Sequence, residues 1–107
     1  DVPDGSPAAV EELFGPVAAV WKVSCAEDAV DLANASRFGL SASVWTADHD
    51  RARALAERLE TGGVFVNQFS YSDPRLPFGG VKDSGYGREL GDFGIREFVN
   101  VKTLSIR

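Results

Sequence analysis

The middle of the chain alternates between strand-like and helix-like segments, and this alternation restricts the fold more than any other feature. The run VAAVWKV, residues 17–23, is apolar and rich in β-branched residues, which is typical of a buried strand. Two more strand-like runs follow, LSASVWT at residues 40–46 and VFVN at residues 64–67. Three strands separated by two helices favour a parallel sheet with right-handed crossovers and helices on its faces. We therefore expect an α/β fold built on a β-α-β-α-β layer.

Two helices are predicted between these strands. The first begins at an S-x-x-E capping box formed by Ser24 and Glu27, in which each side chain accepts a hydrogen bond from the other residue's backbone. Apolar residues then recur at helical spacing, namely Ala26, Ala29, Val30 and Ala33. The second helix is capped by Asp48 and stopped by Gly62 and Gly63. Its apolar face consists of Ala52, Leu55, Ala56 and Leu59.

The stretch LPFGGVKDSGYGREL, residues 76–90, contains four glycines. Glycine costs backbone entropy on folding, so such a run is expected only where a turn, a positive φ or a close approach requires it. A phosphate-binding loop is one such case, but Gly85 and Gly87 are not followed by the third glycine of a G-x-G-x-x-G motif. In addition, Pro77 and Phe78 make a poor ending for a buried strand. We therefore do not interpret the stretch as a dinucleotide-binding loop.

The composition argues against several classes of partner. With 107 residues the chain has the size of one small domain, and 44% hydrophobic with 25% charged residues is ordinary for a globular protein. The net charge of -5 provides no basic surface for nucleic acid or an anionic membrane. No apolar run approaches the length of a membrane span, and the first residues do not have the pattern of a signal peptide. We expect no nucleic-acid or membrane partner.

The cysteine, histidine and methionine content bears on metal binding, on cellular location and on whether the chain is part of a longer protein. Cys25 is the only cysteine and has no internal disulfide partner, and His49, as the only histidine, leaves no His/Cys cluster for a metal. We therefore expect a cytoplasmic protein without a metal. The chain opens at Asp1 and contains no methionine, so we expect it to be a piece of a longer protein.

The last third of the chain contains a polar and aromatic loop at residues 68–77 and a short helix predicted around LGDFGIREF. The final segment, VNVKTLSIR, alternates in polarity and is predicted to be a strand with two usable faces. A terminal strand of this length presents unpaired backbone N–H and C=O groups, so it is expected to pair with another strand.

Two phrases, one near each end, together resemble a known family. EELFGPV near the start and PFGGVKDSGYGREL near the end are similar to the C-terminal portion of the NAD(P)-dependent aldehyde dehydrogenase superfamily. The similarity runs from Val10 to Ile106. Within the superfamily, PRLPFGGVKDSGYGREL followed by FGIREFVNVKT is most similar to the succinate-semialdehyde dehydrogenase group. The resemblance implies that residues 1–98 are the C-terminal part of the catalytic domain and that residues 99–107 are a terminal oligomerisation strand.

The resemblance also implies a chemistry and a partner. Enzymes of this family attack the aldehyde with a cysteine thiolate, pass hydride to NAD or NADP, and hydrolyse the resulting thioester with a glutamate acting as base. The catalytic cysteine and glutamate and the nucleotide-binding half lie upstream of the matching segment, so this chain alone is predicted to be inactive. The choice between NAD and NADP stays open for the same reason. Family members assemble through the strand that matches Val99 to Ile106, which predicts a homo-oligomer, either a dimer or a tetramer.

Two residues near the start match family positions that contact the cofactor. Glu12 corresponds to the glutamate that accepts hydrogen bonds from the hydroxyls of the nicotinamide ribose, and a carboxylate offers several acceptor sites for two neighbouring donors. Phe14 corresponds to an apolar wall near the nicotinamide ring, with an ordinary core aromatic as the alternative. Cys25 is not expected to be the nucleophile, because Glu27 and Asp28 oppose thiolate formation and the family's nucleophile motif is missing around it.

The substrate residues are expected in and after the loop at residues 68–77. Phe78 matches the position that lines the aldehyde tunnel, where an apolar ring excludes water. The hydroxyls of Tyr71 and Ser72 could donate to a distal carboxylate of the substrate, and Arg75 could supply positive charge. Generic loop polarity explains these three residues nearly as well.

The resemblance also gives the glycine-rich stretch a role. In the family this stretch folds tightly behind the active site, so its glycines are expected to meet protein backbone and the end of the substrate. Lys82, Arg88 and Glu89 are expected to hold the turn by ion pairs and backbone hydrogen bonds.

Two hypotheses about function follow. In the first, the complete enzyme oxidises an aldehyde, with succinate semialdehyde as the candidate, to the carboxylic acid with NAD or NADP, and this chain supplies the ribose contact and the pocket wall. In the second, the chain is a non-catalytic fragment or an assembly module. A cysteine in a glycine-flanked motif upstream of Asp1 would favour the first.

Overall fold

The computed structural model describes residues 2–107 and contains four helices and four strands in that range. In chain order they are α1 (Pro7–Val10), α2 (Ala26–Asn34), β1 (Phe38–Gly39), β2 (Ser41–Val44), α3 (His49–Ala56), β3 (Gly63–Val66), β4 (Val81–Lys82) and α4 (Gly91–Arg96). The strands form two separate pairs, and β1 pairs with β4 while β2 pairs with β3. The α/β class expected from the sequence is therefore confirmed.

A β-α-β unit forms the centre of the molecule. Strands β2 and β3 run parallel, from the pair Ser41 and Gly63 to the pair Val44 and Val66, and α3 connects them. The predicted Asp48 cap is confirmed, because its carboxylate accepts a hydrogen bond from the backbone N–H of Arg51 at 2.9 Å. Helix α3 ends at Ala56, however, well before the glycines at 62 and 63 that were expected to stop it.

Asn67 holds the two parallel strands together where they end. Its side-chain amide donates to the carbonyl of Thr46 at 2.8 Å, and its side-chain oxygen accepts from the Thr46 N–H at 2.9 Å. Its own backbone N–H donates to the carbonyl of Val44 at 2.8 Å. Because Asn67 has a φ of 55°, the chain turns away from the sheet at this residue and begins the loop at 68–77.

The first helix differs from its prediction in how it is capped. The N-cap of α2 is Cys25, whose sulfur accepts a long hydrogen bond from the Asp28 N–H at 3.5 Å, and Ser24 lies outside the helix. The S-x-x-E capping box formed by Ser24 and Glu27 was therefore wrong by one residue. A sulfur is a weak acceptor, so this cap contributes less than a serine oxygen would.

The predicted first strand, residues 17–23, is not a strand in the described chain. Its side chains are exposed, with Val20 at 86%, and its backbone forms no ladder with another segment of residues 2–107. A strand needs the N–H and C=O groups of a neighbouring strand, and none of the strands in residues 2–107 pairs with this segment. The parallel layer therefore consists here of β2 and β3 alone.

The glycine-rich turn is closed by contacts between backbone segments. A Cβ placed on Gly62 would overlap the carbonyl oxygen of Gly79, and a Cβ on the buried Gly80 would lie 2.6 Å from the Cβ of Ser84. The hydroxyl oxygen of Ser84 in turn accepts from the Gly39 N–H at 3.0 Å. The expectation that protein backbone approaches the glycines of this stretch is therefore confirmed at Gly79 and Gly80, whereas a Cβ on Gly85 would meet nothing within 4 Å and one on Gly87 would meet only the Glu97 side chain.

The end of the chain forms a helix but no strand. Helix α4 (Gly91–Arg96) confirms the predicted short helix. Residues 97–107 have no strand partner within residues 2–107, and Val101 and Ile106 are 92% and 83% exposed. The predicted terminal strand is thus not formed within this chain, because the described residues offer it no edge to join.

The described chain encloses little core. Val30 of α2 and Ala52 of α3 are its buried apolar side chains. Its radius of gyration is 17.6 Å, whereas a compact domain of 100 residues has about 13 Å. Within residues 2–107, no helix is long and apolar enough to cross a bilayer, and no group of three potential metal ligands occurs.

Candidate functional site

A small apolar cavity lies between the starts of β2 and β3 and the segment 71–79. We call it the Phe78 cavity, and its volume is about 160 Å³. An apolar cavity of about 150 Å³ is known to accept benzene, so this one is large enough for a small organic molecule. Its walls include two aromatic rings of the strand and loop, one carboxylate and the predicted tunnel residue, namely Phe65, Tyr71, Asp73 and Phe78.

Phe78 is held in place by its backbone. Its N–H donates to the carbonyl of Glu89 at 2.8 Å, and the N–H of Glu89 donates to the carbonyl of Phe78 at 2.8 Å. The guanidinium of Arg88 donates to the carbonyls of Gly80 at 2.8 Å and Gly87 at 2.6 Å. These bonds agree with the predicted role of Arg88 and Glu89 as residues that hold the turn, and they fix a half-buried ring at the cavity wall.

Lys82 holds the other side of the same turn. Its ammonium donates to the carbonyl of Asn34 at 2.6 Å and lies 3.0 Å from a carboxylate oxygen of Glu60. A cation at this position also interacts favourably with the carbonyl groups at the end of α2. The predicted structural role of Lys82 is therefore supported.

The residues predicted to bind the distal end of the substrate are distributed unevenly around the cavity. Tyr71 lines it, and its ring lies 5.4 Å from the ring of Phe65, which restricts its orientation. Ser72 is exposed and does not line the cavity, and its hydroxyl has no hydrogen-bond partner within residues 2–107. Sequence reasoning did not find Phe65, although its alternation with Val64 and Val66 in a short strand could have placed it on one face.

Arg75 is already paired with a carboxylate. Its side-chain nitrogens lie 2.9 and 2.6 Å from the two oxygens of Asp73, so the ion pair is bidentate. This arrangement holds the pKa of the Asp73 carboxyl below its ordinary value. The idea that Arg75 offers a free charge is therefore not supported, because Asp73 already neutralises it.

The predicted cofactor residues lie after α1. Glu12 lines a second cavity of about 510 Å³, which we call the Glu12 cavity. Its neighbour Glu11 lies 3.7 Å from Arg37, whereas the Glu12 carboxylate has no ion pair or hydrogen bond with other residues in the range 2–107. Phe14 is 92% exposed and lines neither cavity, so the alternative of a core aromatic is not realised in the described chain.

The two cavities meet at one short segment. Leu40 and Ser41 line both of them, so the cavity of Glu12 and the cavity of Tyr71 and Phe78 lie on adjacent parts of the molecule. The exposed thiol of Cys25 lines neither cavity.

A model of the aldehyde dehydrogenase family matches residues 1–104. An aldehyde dehydrogenase of Paenarthrobacter nicotinovorans is 58% identical over 94 residues, which are 88% of this chain and 20% of that protein. The NAD(P)+ succinate semialdehyde dehydrogenase Sad of Escherichia coli (strain K12) is 56% identical over the same number of residues, again 88% of this chain and 20% of that protein.

Solved structures agree with this similarity. The succinic semialdehyde dehydrogenase of Streptococcus pyogenes, in complex with NADP+ as the cofactor, superimposes with a TM-score of 0.92 at 42% identity. The match covers 98% of this chain and 23% of that one. The chain spans about a fifth of the length of the curated relatives it matches. The resemblance derived from the sequence is confirmed, and the chain belongs to the aldehyde dehydrogenase family.

Proposed function

We propose that these residues are part of a longer enzyme that oxidises an aldehyde to the carboxylic acid with NAD or NADP, and that succinate semialdehyde is its substrate. The observation that carries the proposal is the Phe78 cavity, where a ring fixed by the Phe78 and Glu89 backbone pair faces a loop that bears hydroxyl groups. Family membership and the succinate semialdehyde dehydrogenases among the relatives support the same reaction.

Glu12 suits a contact to the cofactor ribose. The carboxylate is exposed, lines an open cavity and has no partner within residues 2–107, so its oxygens are available for two neighbouring hydroxyl donors. Phe14, two residues further along the chain, is exposed and is free to cover the nicotinamide ring. The bound cofactor supplies the hydride acceptor, while the cysteine nucleophile and the glutamate base are proposed to come from the rest of the polypeptide.

The Phe78 cavity suits the aldehyde. The Phe78 ring excludes water from the reacting carbon, and the hydroxyls of Tyr71 and Ser72 donate hydrogen bonds to a carboxylate at the far end of the substrate. Ser72 supports this role because its hydroxyl is not committed to another residue of the described chain. In this proposal the loop determines which substrate binds, and the glycine-rich turn forms the wall of the cavity.

The substrate assignment is tested with Ser72→Ala in the full-length enzyme. The KM for succinate semialdehyde should rise by the equivalent of about 1 to 3 kcal/mol, because the anion loses one donor, while the KM for butanal should change little. Ser70→Ala, which removes the hydroxyl of another exposed serine two residues earlier, is the matched control. Equal effects on both aldehydes would reject the carboxylate assignment, and no oxidation of any aldehyde by the wild type would reject the proposed reaction.

The cofactor assignment is tested with Glu12→Gln. Hydride transfer should slow and cofactor binding should weaken by about 1.5 to 3 kcal/mol, because a charged acceptor is replaced by a neutral amide. Glu11→Gln is the control, since Glu11 already lies against Arg37 and is not expected to reach the cofactor. Unchanged rate and affinity in Glu12→Gln would remove this residue from the site.

A second candidate is a non-catalytic assembly role, and the exposed apolar residues at the end of the chain favour an assembly surface. For the first candidate, the enzyme, we propose that residues 1–98 belong to the catalytic domain and that residues 99–107 pair with a neighbouring subunit, which gives a cytoplasmic dimer or tetramer. Val99, Val101 and Ile106 are exposed and offer apolar surface for such pairing. The reading frame upstream of Asp1 separates the candidates, since an enzyme requires the cysteine nucleophile there.

A further inference from the structure

The ion pair between Asp73 and Arg75 lies in the loop that borders the Phe78 cavity. Asp73 lines the cavity and only 13% of its side chain is exposed, whereas 86% of the Arg75 side chain is exposed. The Asp73 carboxylate accepts three hydrogen bonds, and all three come from Arg75, at 2.9 Å from the backbone N–H and at 2.9 and 2.6 Å from the guanidinium. Arg75 therefore covers the outer side of a carboxylate that belongs to the cavity wall.

The same residues close a turn that leads into the cavity wall. The N–H of Leu76 donates to the carbonyl of Asp73 at 2.9 Å, and the N–H of Gly91 donates to the carbonyl of Pro74 at 3.0 Å. Leu76 and Pro77 line the cavity directly before Phe78. The position of the turn thus determines where the wall between Tyr71 and Phe78 lies.

We propose that Asp73 and Arg75 act as a positioning pair that sets the wall of the aldehyde cavity, and that Arg75 masks the Asp73 carboxylate instead of binding the anionic end of the substrate. The inference rests on the proposed function and deepens it. A bare carboxylate in the wall would repel an anionic substrate, so the masking is what lets a semialdehyde with a carboxylate enter. The anion is then bound by the hydroxyls of Tyr71 and Ser72.

A double-mutant design in the full-length enzyme separates masking from direct binding. Both roles predict that Arg75→Gln raises the KM for succinate semialdehyde more than the KM for butanal, by about tenfold for the loss of one charged contact. Masking and direct binding make different predictions for the double variant Asp73→Asn with Arg75→Gln. Masking predicts that the ratio of the two KM values returns to within about twofold of the wild type, because no carboxylate remains to repel the anion.

The positioning role is tested by a separate measurement, the KM for the neutral aldehyde butanal. Arg75→Lys keeps the charge and loses the bidentate geometry, so it should raise the KM for the neutral aldehyde about threefold, leave kcat nearly constant and preserve the ratio of KM values. Arg58→Gln, which removes an exposed ion pair to Asp31 at 3.6 Å outside both cavities, is the control and should change neither KM.

The outcomes are distinguishable. An active wild type whose double variant keeps the altered ratio of Arg75→Gln would overturn masking and place Arg75 on the substrate itself. An unchanged KM for butanal in Arg75→Lys, with only a lower Tm, would overturn positioning. A wild type that oxidises neither aldehyde overturns the proposed function and this inference with it.

Discussion

The central region from Phe38 to Gly91 and the two ends of the chain contain similar apolar residues but are held in different ways. In the centre, β2 and β3 pair along their whole length and backbone segments meet at the glycines. At the ends, residues 17–23 and 97–107 remain exposed and unpaired within the described chain, as the values for Val20 and Val101 show. The difference teaches that β-branched composition makes a strand only where a short crossover brings a partner within reach.

The largest effect is expected from a substitution that disrupts the packing of the central region. Gly62→Ala would force a Cβ into the carbonyl oxygen of Gly79, which is backbone and has little freedom to move. We expect a loss of about 3 kcal/mol or more in the free energy of unfolding, measured by urea denaturation of the full-length protein. Ala54→Ser on the exposed face of α3 is the control. A loss below about 1 kcal/mol would show that the two segments are less tightly joined than described.

The second prediction tests whether the ends depend on another chain. Val101→Pro removes a backbone N–H that a paired strand would need and should shift the full-length protein toward smaller species in analytical ultracentrifugation. Val101→Ala keeps the N–H and should largely preserve the assembly. If the proline variant keeps the wild-type oligomeric state, residues 99–107 are not the interface.

The third prediction tests how much the side chain and the backbone angle of Asn67 stabilise the central region. Asn67→Ala removes two hydrogen bonds to Thr46 and places alanine at a φ of 55°, so it should cost about 2 to 3 kcal/mol. Asn67→Gly loses the same bonds without the strain at positive φ, so it should cost about 1 kcal/mol less than the alanine variant. Equal losses in thermal unfolding would mean that the backbone angle contributes nothing.

The smallest expected effect is on the stability of the folded protein at acid pH. The pKa of Asp73 is lowered by Arg75 from an ordinary value of 3.8, so the folded state favours the carboxylate. The stabilisation is therefore fully present above that ordinary value and is lost as pH falls through the lowered one. The difference in Tm between the wild type and Asp73→Asn should stay constant from neutral pH to about pH 5 and shrink only in stronger acid. A difference that already shrinks near neutral pH would contradict this assignment.

What the sequence predicted well is local. The spacing of apolar residues and the Asp48 cap located α3, and the short apolar runs located β2 and β3, because neighbours in the sequence determine these features. The strand at 17–23 and the terminal strand failed within this chain, because pairing depends on a partner that composition does not supply. Cys25 replaced Ser24 as the cap of α2 because a shift of one residue leaves the apolar spacing almost unchanged.

The candidate site, like the fold, was predicted from local sequence features. Motifs identified Phe78 and Glu12 as candidates, and the structure adds what a motif does not contain, such as the tilted contact between the rings of Tyr71 and Phe65. The pairing of Arg75 with Asp73 was missed because a sequence shows both charges without showing that they cancel. Their spacing of two residues around a proline, which is typical of a turn, is the signal that could have indicated it.

The contact between Gly62 and Gly79 also limits how the wall of the Phe78 cavity can change. A Cβ on Gly62 would meet only backbone atoms, of Gly79 and Leu40, so a larger residue there finds no side chain that a second substitution could shorten in compensation. Gly62 is therefore closed to stepwise mutation. In the enzyme that we propose, altered selectivity is accessible instead through the loop that carries Tyr71 and Ser72, whose exposed side chains can be exchanged without a clash of backbone segments.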